Sequence, residues 1–174
     1  MTERIPLTIL KNLVHNETYT RQVIPFIEPD YFEERSDKIV FEEIAKFLSS
    51  YDKNPTKEVL HIEVEKRVDI NEEEYKNIEQ LISALDNTES ESEWLLNTTE
   101  EWCKQRAIYL ALIKSIQIAD GQDEHKKPDA IPNILSDALA VGFDQHVGHD
   151  YLDDSEDRYA YYHRIENKIP FDLE

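Results

Sequence analysis

The chain has 174 residues, 40% of them apolar and 33% charged, which is enough for one sizeable core or two small ones. Its 38 acidic residues against 19 basic ones give a formal net charge of −19 at pH 7, a surface that repels phosphate backbones, excludes a strong direct grip on DNA and complements basic partners. A single cysteine, Cys103, excludes an intrachain disulfide framework and suits a reducing cytoplasm; no signal-peptide run opens the chain, and no run approaches the roughly 18–20 apolar residues of a membrane span.

Glycine is scarce, limited to Gly121, Gly142 and Gly148, while Glu, Lys, Leu and Ile are plentiful. That composition predicts an all-α fold. In chain order, Pro6 suits a first helical turn, and Leu7, Leu10, Leu13 and Val14 follow at helical spacing. A second helix is expected over 18–24, ending before Pro25, and a helical turn over 28–32 with Tyr31 and Phe32 as anchors. Ser36 is expected to cap the next helix, with Asp37 at its positive end and Ile39, Val40, Ile44, Phe47 and Leu48 on one face. A further helix begins near Asn54-Pro55-Thr56, although 61–65 also alternates like a strand. Asn71 and Glu74 have capping-box spacing before the amphipathic run Tyr75, Ile78, Leu81, Ile82 and Leu85.

The polar stretch 86–93 reads as a loop and boundary. The longest helical pattern follows, 94–120, supported by the i,i+4 pair Glu100/Lys104 and stopped by Gly121. Trp102, Tyr109, Leu112, Ile113 and Ile116 share a stripe on it. After a charged turn with Pro128, Ile131, Ile134, Leu135, Ala138 and Val141 repeat at helical spacing, completing an αα-hairpin. Both arms carry more apolar surface than the pair can bury, so the hairpin is expected to pack on another copy or domain. The expected organisation is a compact helical module over 1–90, a hairpin over 91–143 and a linker over 144–174. The linker carries a short helix near 155–167 with Tyr159, Tyr161, Tyr162 and Ile165 presented for docking.

Several stretches together resemble the N-terminal half of DnaB-type replicative DNA helicases, most of all their T-even phage branch. They are Tyr31-Phe-Glu-Glu-Arg with Lys38-Ile-Val-Phe, Asn54-Pro-Thr-Lys, Trp94-Leu-Leu through Glu101-Trp-Cys-Lys-Gln-Arg-Ala-Ile-Tyr-Leu-Ala-Leu, and Ile169-Pro-Phe-Asp-Leu. The resemblance covers nearly the whole chain in order, and its specificity lies in the combination. It implies a non-catalytic collar that dimerises, forms a trimer of dimers on a hexameric ring, and recruits primase and a helicase loader. It also implies a linker helix that docks on a neighbouring subunit. ATP and Mg would belong to a RecA-like motor domain beyond Ile169-Pro-Phe-Asp-Leu, and a phage-encoded protein of this kind works in the host cytoplasm.

The chemistry-bearing residues agree with a non-enzymatic role. A phosphate-binding loop needs clustered glycines followed by Lys-Ser or Lys-Thr, and none of the three glycines stands in such a setting. His146, His149 and Asp150, with Asp144 and Asp153, have only loose metal-ligand spacing and read better as a solvated acidic linker. Cys103 reads as a small apolar core residue. Trp94 and Trp102 can anchor an interface or seal the hairpin on the compact module, and Trp102 is the better candidate for an intermolecular or hairpin seam. The tyrosine-rich helix near 159–165 gains stability by docking on another subunit, or folds back on its own chain. A rival class is a free-standing acidic protein that mimics DNA and blocks a nucleic-acid enzyme; a small helical enzyme rests on the histidines alone.

Overall fold

The computed structural model describes residues 4–87, 90–122 and 127–143. Its elements are α1 (Ile5–His15), α2 (Glu17–Val23), 3-10 turns at Ile24–Phe26 and Pro29–Tyr31, α3 (Arg35–Tyr51), α4 (Lys57–Glu65), α5 (Glu72–Ser83), α6 (Ser92–Ala119), a 3-10 turn at Pro128–Ala130 and α7 (Ile131–Leu139). No strand occurs among the described residues, and the fold is all-α. The ambiguous 61–65 segment is helical. Thr56 caps it by accepting from the Val59 N–H, and Leu60 and Val64, four residues apart, both face inward.

Local chemistry sets the element ends. Asn71 and Glu74 form the expected reciprocal capping box at 2.9 Å in each direction. Gly121 adopts φ +72 and the Gln122 N–H reaches back to the Gln117 carbonyl at 2.9 Å, closing α6 with a left-handed stop. Helix α2 ends at Val23, before Pro25 as expected, and Pro25 itself sits inside the first 3-10 turn, where its missing N–H costs nothing. The expected cap at Ser36 is displaced. Helix α3 starts at Arg35, after Glu34, and no side chain caps it. Asp37 lies buried in its first turn, 3.5 Å from the Arg4 guanidinium, and burial raises its carboxyl above the ordinary range.

Residues Met1–Phe143 form one compact unit. Its core is built by Ile9, Leu10 and Leu13 of α1, Val40, Phe41 and Ile44 of α3, Leu60 of α4, and Ile78 and Ile82 of α5, all essentially without exposure. The first part of α6 closes that core through Leu95, Thr99, Trp102 and Cys103. Most of its buried polar groups are paired, with Asn54 Oδ1 left without a hydrogen-bond partner among the described residues. Tyr19 and Thr99 share a hydroxyl contact of 2.7 Å, and His15 Nε2 donates to the Leu85 carbonyl at 2.8 Å, pinning α1 to the end of the α5 segment.

A guanidinium ties the far edge together. Arg67, after α4, donates to Glu42 at 2.9 Å, to Glu43 at 3.0 Å and to Asp69 at 2.7 Å. Its hydrogen bonds hold the Asp69 carboxyl down at about 2. A depressed carboxylate stabilises the fold above its unfolded value and loses that contribution as pH falls through its folded value. Asp69→Asn is therefore expected to lower Tm at neutral pH, with the gap from wild type closing between about pH 4 and about pH 2. Thermal melts by circular dichroism across that range check it.

Candidate functional site

Helix α6 runs 28 residues, roughly 42 Å at the helical rise, and different neighbours cover its two ends. The N-terminal half packs on α1, α2 and the Pro29–Tyr31 turn. Trp102 lies edge-on to Tyr31 at 6.1 Å and beside Phe32 at 5.0 Å, and Phe32 continues to Phe41 at 5.1 Å. The C-terminal half buries Ala107, Ala111, Ser115 and Ile118, a side of mostly small residues that lets a second helix approach closely. Helix α7 supplies that second helix: Ala138 is buried and Ile134 and Leu135 are half-buried against the core. Phe143 completes the return, stacked on Phe26 at 4.9 Å with its N–H on the Glu100 carboxylate at 3.3 Å.

The opposite side of distal α6 is only partly covered by the described residues. Tyr109 is 52% exposed, Leu112 48%, Ile113 37% and Ile116 60%. These four stand at i, i+3, i+4 and i+7, one apolar face. The same face begins deeper in the molecule. Leu95, Trp102, Tyr109 and Ile116 are successive heptad positions, and seven residues fall only about 20° short of two turns. Leu95 and Trp102 are 2% and 8% exposed, so one stripe passes from core to solvent along a single helix. Leu139 of α7 is a further exposed apolar residue at 70%.

The structure thus divides the residues expected at the hairpin and subunit interface. Tyr109, Leu112, Ile113 and Ile116 form the open face. Ile134, Leu135 and Ala138 belong to the seam between α6 and α7. Trp102 seals α6 onto the compact module of its own chain, one of the two roles open to it from the sequence, while Trp94 is 53% exposed. Residues Tyr159, Tyr161, Tyr162 and Ile165, and the histidines His146 and His149, lie outside the described residues. Among the described residues no group of three or more His, Cys, Asp or Glu side chains is placed to hold a metal ion.

Sequence reasoning passed over Arg106. Its Nε donates to the Tyr31 carbonyl at 2.7 Å, it pairs with Glu33, and its guanidinium lies 4.9 Å over the Tyr109 ring. The i,i+3 spacing of Arg106 and Tyr109 was the available signal. The face carries another compositional mark: from Trp102 to Ala119 there is no Asp or Glu, while Lys104, Arg106 and Lys114 are present.

Two other features are structural. A groove of about 370 Å³ is lined by Arg35, Lys38, Arg67 and Asp69, and its cations are already paired: Arg35 with Glu74 at 2.9 Å, Lys38 with Asp30 at 2.5 Å, and Arg67 as above. Cys103 is fully buried, and burial pushes its thiol up to about 12.

The described residues define a class: an all-α domain whose longest helix leaves its own core, with α7 folded back on it as a hairpin arm. No protein-family model matches the chain. It is 34% identical, over 173 residues, to the DnaB-like replicative helicase of Enterobacteria phage T4. The match takes in 95% of this chain but 36% of that relative, so the chain spans little more than a third of the relative's length. The resemblance to DnaB-type replicative helicases of the T-even phages, read from the residues, is shown by this match. No helix among the described residues is long and apolar enough to cross a membrane.

The state of Cys103 gives a direct check. Iodoacetamide at neutral pH is expected to leave the folded chain unmodified and to label it in denaturant, as read by mass spectrometry. Rapid native labelling would contradict the burial assigned to the middle of α6.

Proposed function

We propose that this chain is the non-catalytic collar of a hexameric replicative DNA helicase, and that it acts by self-association and partner recruitment. One observation carries the reading: the open apolar face Tyr109, Leu112, Ile113 and Ile116 on a projecting hairpin. An exposed apolar face of this kind marks a surface that a partner covers. Charge selects the partner. Two copies carrying −19 each repel wherever carboxylates meet. The distal part of α6, with no carboxylate from Trp102 to Ala119, is where a second copy can approach closely. A two-fold pairing of hairpins covers both faces at once.

The likeness to the T4 helicase supports placing this assembly on a replication ring. In that setting the acidic surface of the compact module attracts basic segments of primase and of a helicase loader, an attraction that weakens with salt. Translocation and ATP hydrolysis would belong to a motor domain. The 144–174 segment would link collar to motor through Tyr159, Tyr161, Tyr162 and Ile165. The rival reading, an acidic DNA mimic, has the net charge behind it but no use for an apolar face free of carboxylates.

Sedimentation equilibrium of the 174-residue chain is expected to show a dimer or larger assembly. Ile113→Asp should raise the dissociation constant at least ~30-fold, because a buried unpaired charge costs about 2 kcal/mol or more, with little change in the Tm of the dilute protein. Ile134→Asp, by contrast, strikes the seam between α6 and α7 and should lower Tm directly. A strict monomer at high concentration, or an unaffected assembly in Ile113→Asp, rejects this reading.

A further inference from the structure

We infer that Arg106 is a positioning residue that fixes Tyr109 in the orientation a second copy meets. The inference rests on the self-association reading and adds to it how the open face is kept ready. The Arg106 side chain is only 12% exposed although it stands at the edge of an open face. Three contacts hold it there. Nε donates to the Tyr31 carbonyl at 2.7 Å, the other end of the fork pairs with Glu33, and the flat face lies 4.9 Å over the Tyr109 ring. A guanidinium does all this at once because its donors point out of the edge and leave the face free to stack; an ammonium has no such face.

The consequence falls on Tyr109. At 52% exposure an unbraced tyrosine would sample several rotamers, and a partner would have to freeze it. Held by Arg106, the ring is set before the partner arrives, as a rigid aromatic anchor. The brace is mounted on the compact module, since Tyr31, which supplies the carbonyl, also stands edge-on to Trp102. The open face is thereby coupled to the Pro29–Tyr31 turn that covers the buried end of the same stripe.

A double-mutant cycle on the 174-residue chain tests this, with the dissociation constant from sedimentation and the Tm of the dilute protein as readouts. Arg106→Ala should weaken self-association about five- to tenfold, the scale of one cation–π contact desolvated by a partner. Tyr109→Phe, which keeps the ring, should match wild type. In a Tyr109→Ala background, Arg106→Ala should weaken association less than about twofold, because the two act through one contact. Arg106→Lys keeps the charge and a donor but not the fork; it should weaken association in the same direction and stands in for alanine if that variant does not fold. An equal loss in both backgrounds, or no loss in either, overturns the brace. A wild-type chain that stays monomeric removes the self-association reading and the brace with it, a result distinct from an assembling chain in which the losses are equal.

Discussion

The structure turns on one helix that is longer than the core it crosses. The compact module covers about half of α6, and the Leu95, Trp102, Tyr109, Ile116 ladder shows where the cover stops. Upstream, Tyr31 and Phe32 close over Trp102; one heptad later the same side of the helix is open. Helix α7 cannot repair this, because it packs where α6 is made of Ala107, Ala111 and Ser115. Small residues let two helices come close, but α7 then lies away from the bulky side. The open face is therefore a product of how the hairpin packs, and the apolar residues on it are left for something outside the described residues.

Most of the elements were legible because each had a local cause. The Asn71–Glu74 spacing forms its box, and Gly121 takes the left-handed conformation its position demands. The Glu100–Lys104 pair forms at 2.5 Å. Where tertiary contacts decide, pattern reading fell short. Ser36 carries good capping chemistry, yet the helix starts at Arg35, and buried Asp37 faces Arg4, distant in sequence but close in space. Trp102 shares its helix face with Tyr109, so no periodicity separates them; only the arrival of a turn some seventy residues earlier in the chain buries one and leaves the other open. Arg106 was missed for the same reason, since its partners Tyr31 and Glu33 are close in space and distant in sequence.

Charge shows a related division of labour. Glu91, Glu93, Glu100 and Glu101 crowd the start of α6, where Glu91 accepts from the N–H groups of Glu93 and Trp94 and favours the helix's positive end. The distal half holds only Lys and Arg as charged residues. The helix dipole does not require so complete an absence, which reaches well upstream of the last turn. In the proposed assembly, a face meeting a second highly acidic copy does, because each carboxylate brought into such a contact would add like-charge repulsion and desolvation.

These features bear on how an open apolar face can lie on a small domain and still be ordered. An exposed aromatic on a free hairpin would lose affinity to side-chain entropy, and the hairpin itself would depend on α7 alone for support. Here Arg106 reaches back to the Tyr31 carbonyl, and Phe143 returns to Phe26 and Glu100, so both arms are tied to the compact module. The Pro29–Tyr31 turn is the common anchor: it buries Trp102, supplies the carbonyl for Arg106, and through Arg106 orients Tyr109. In the proposed brace, a short turn thus sets the order of the open face through Arg106.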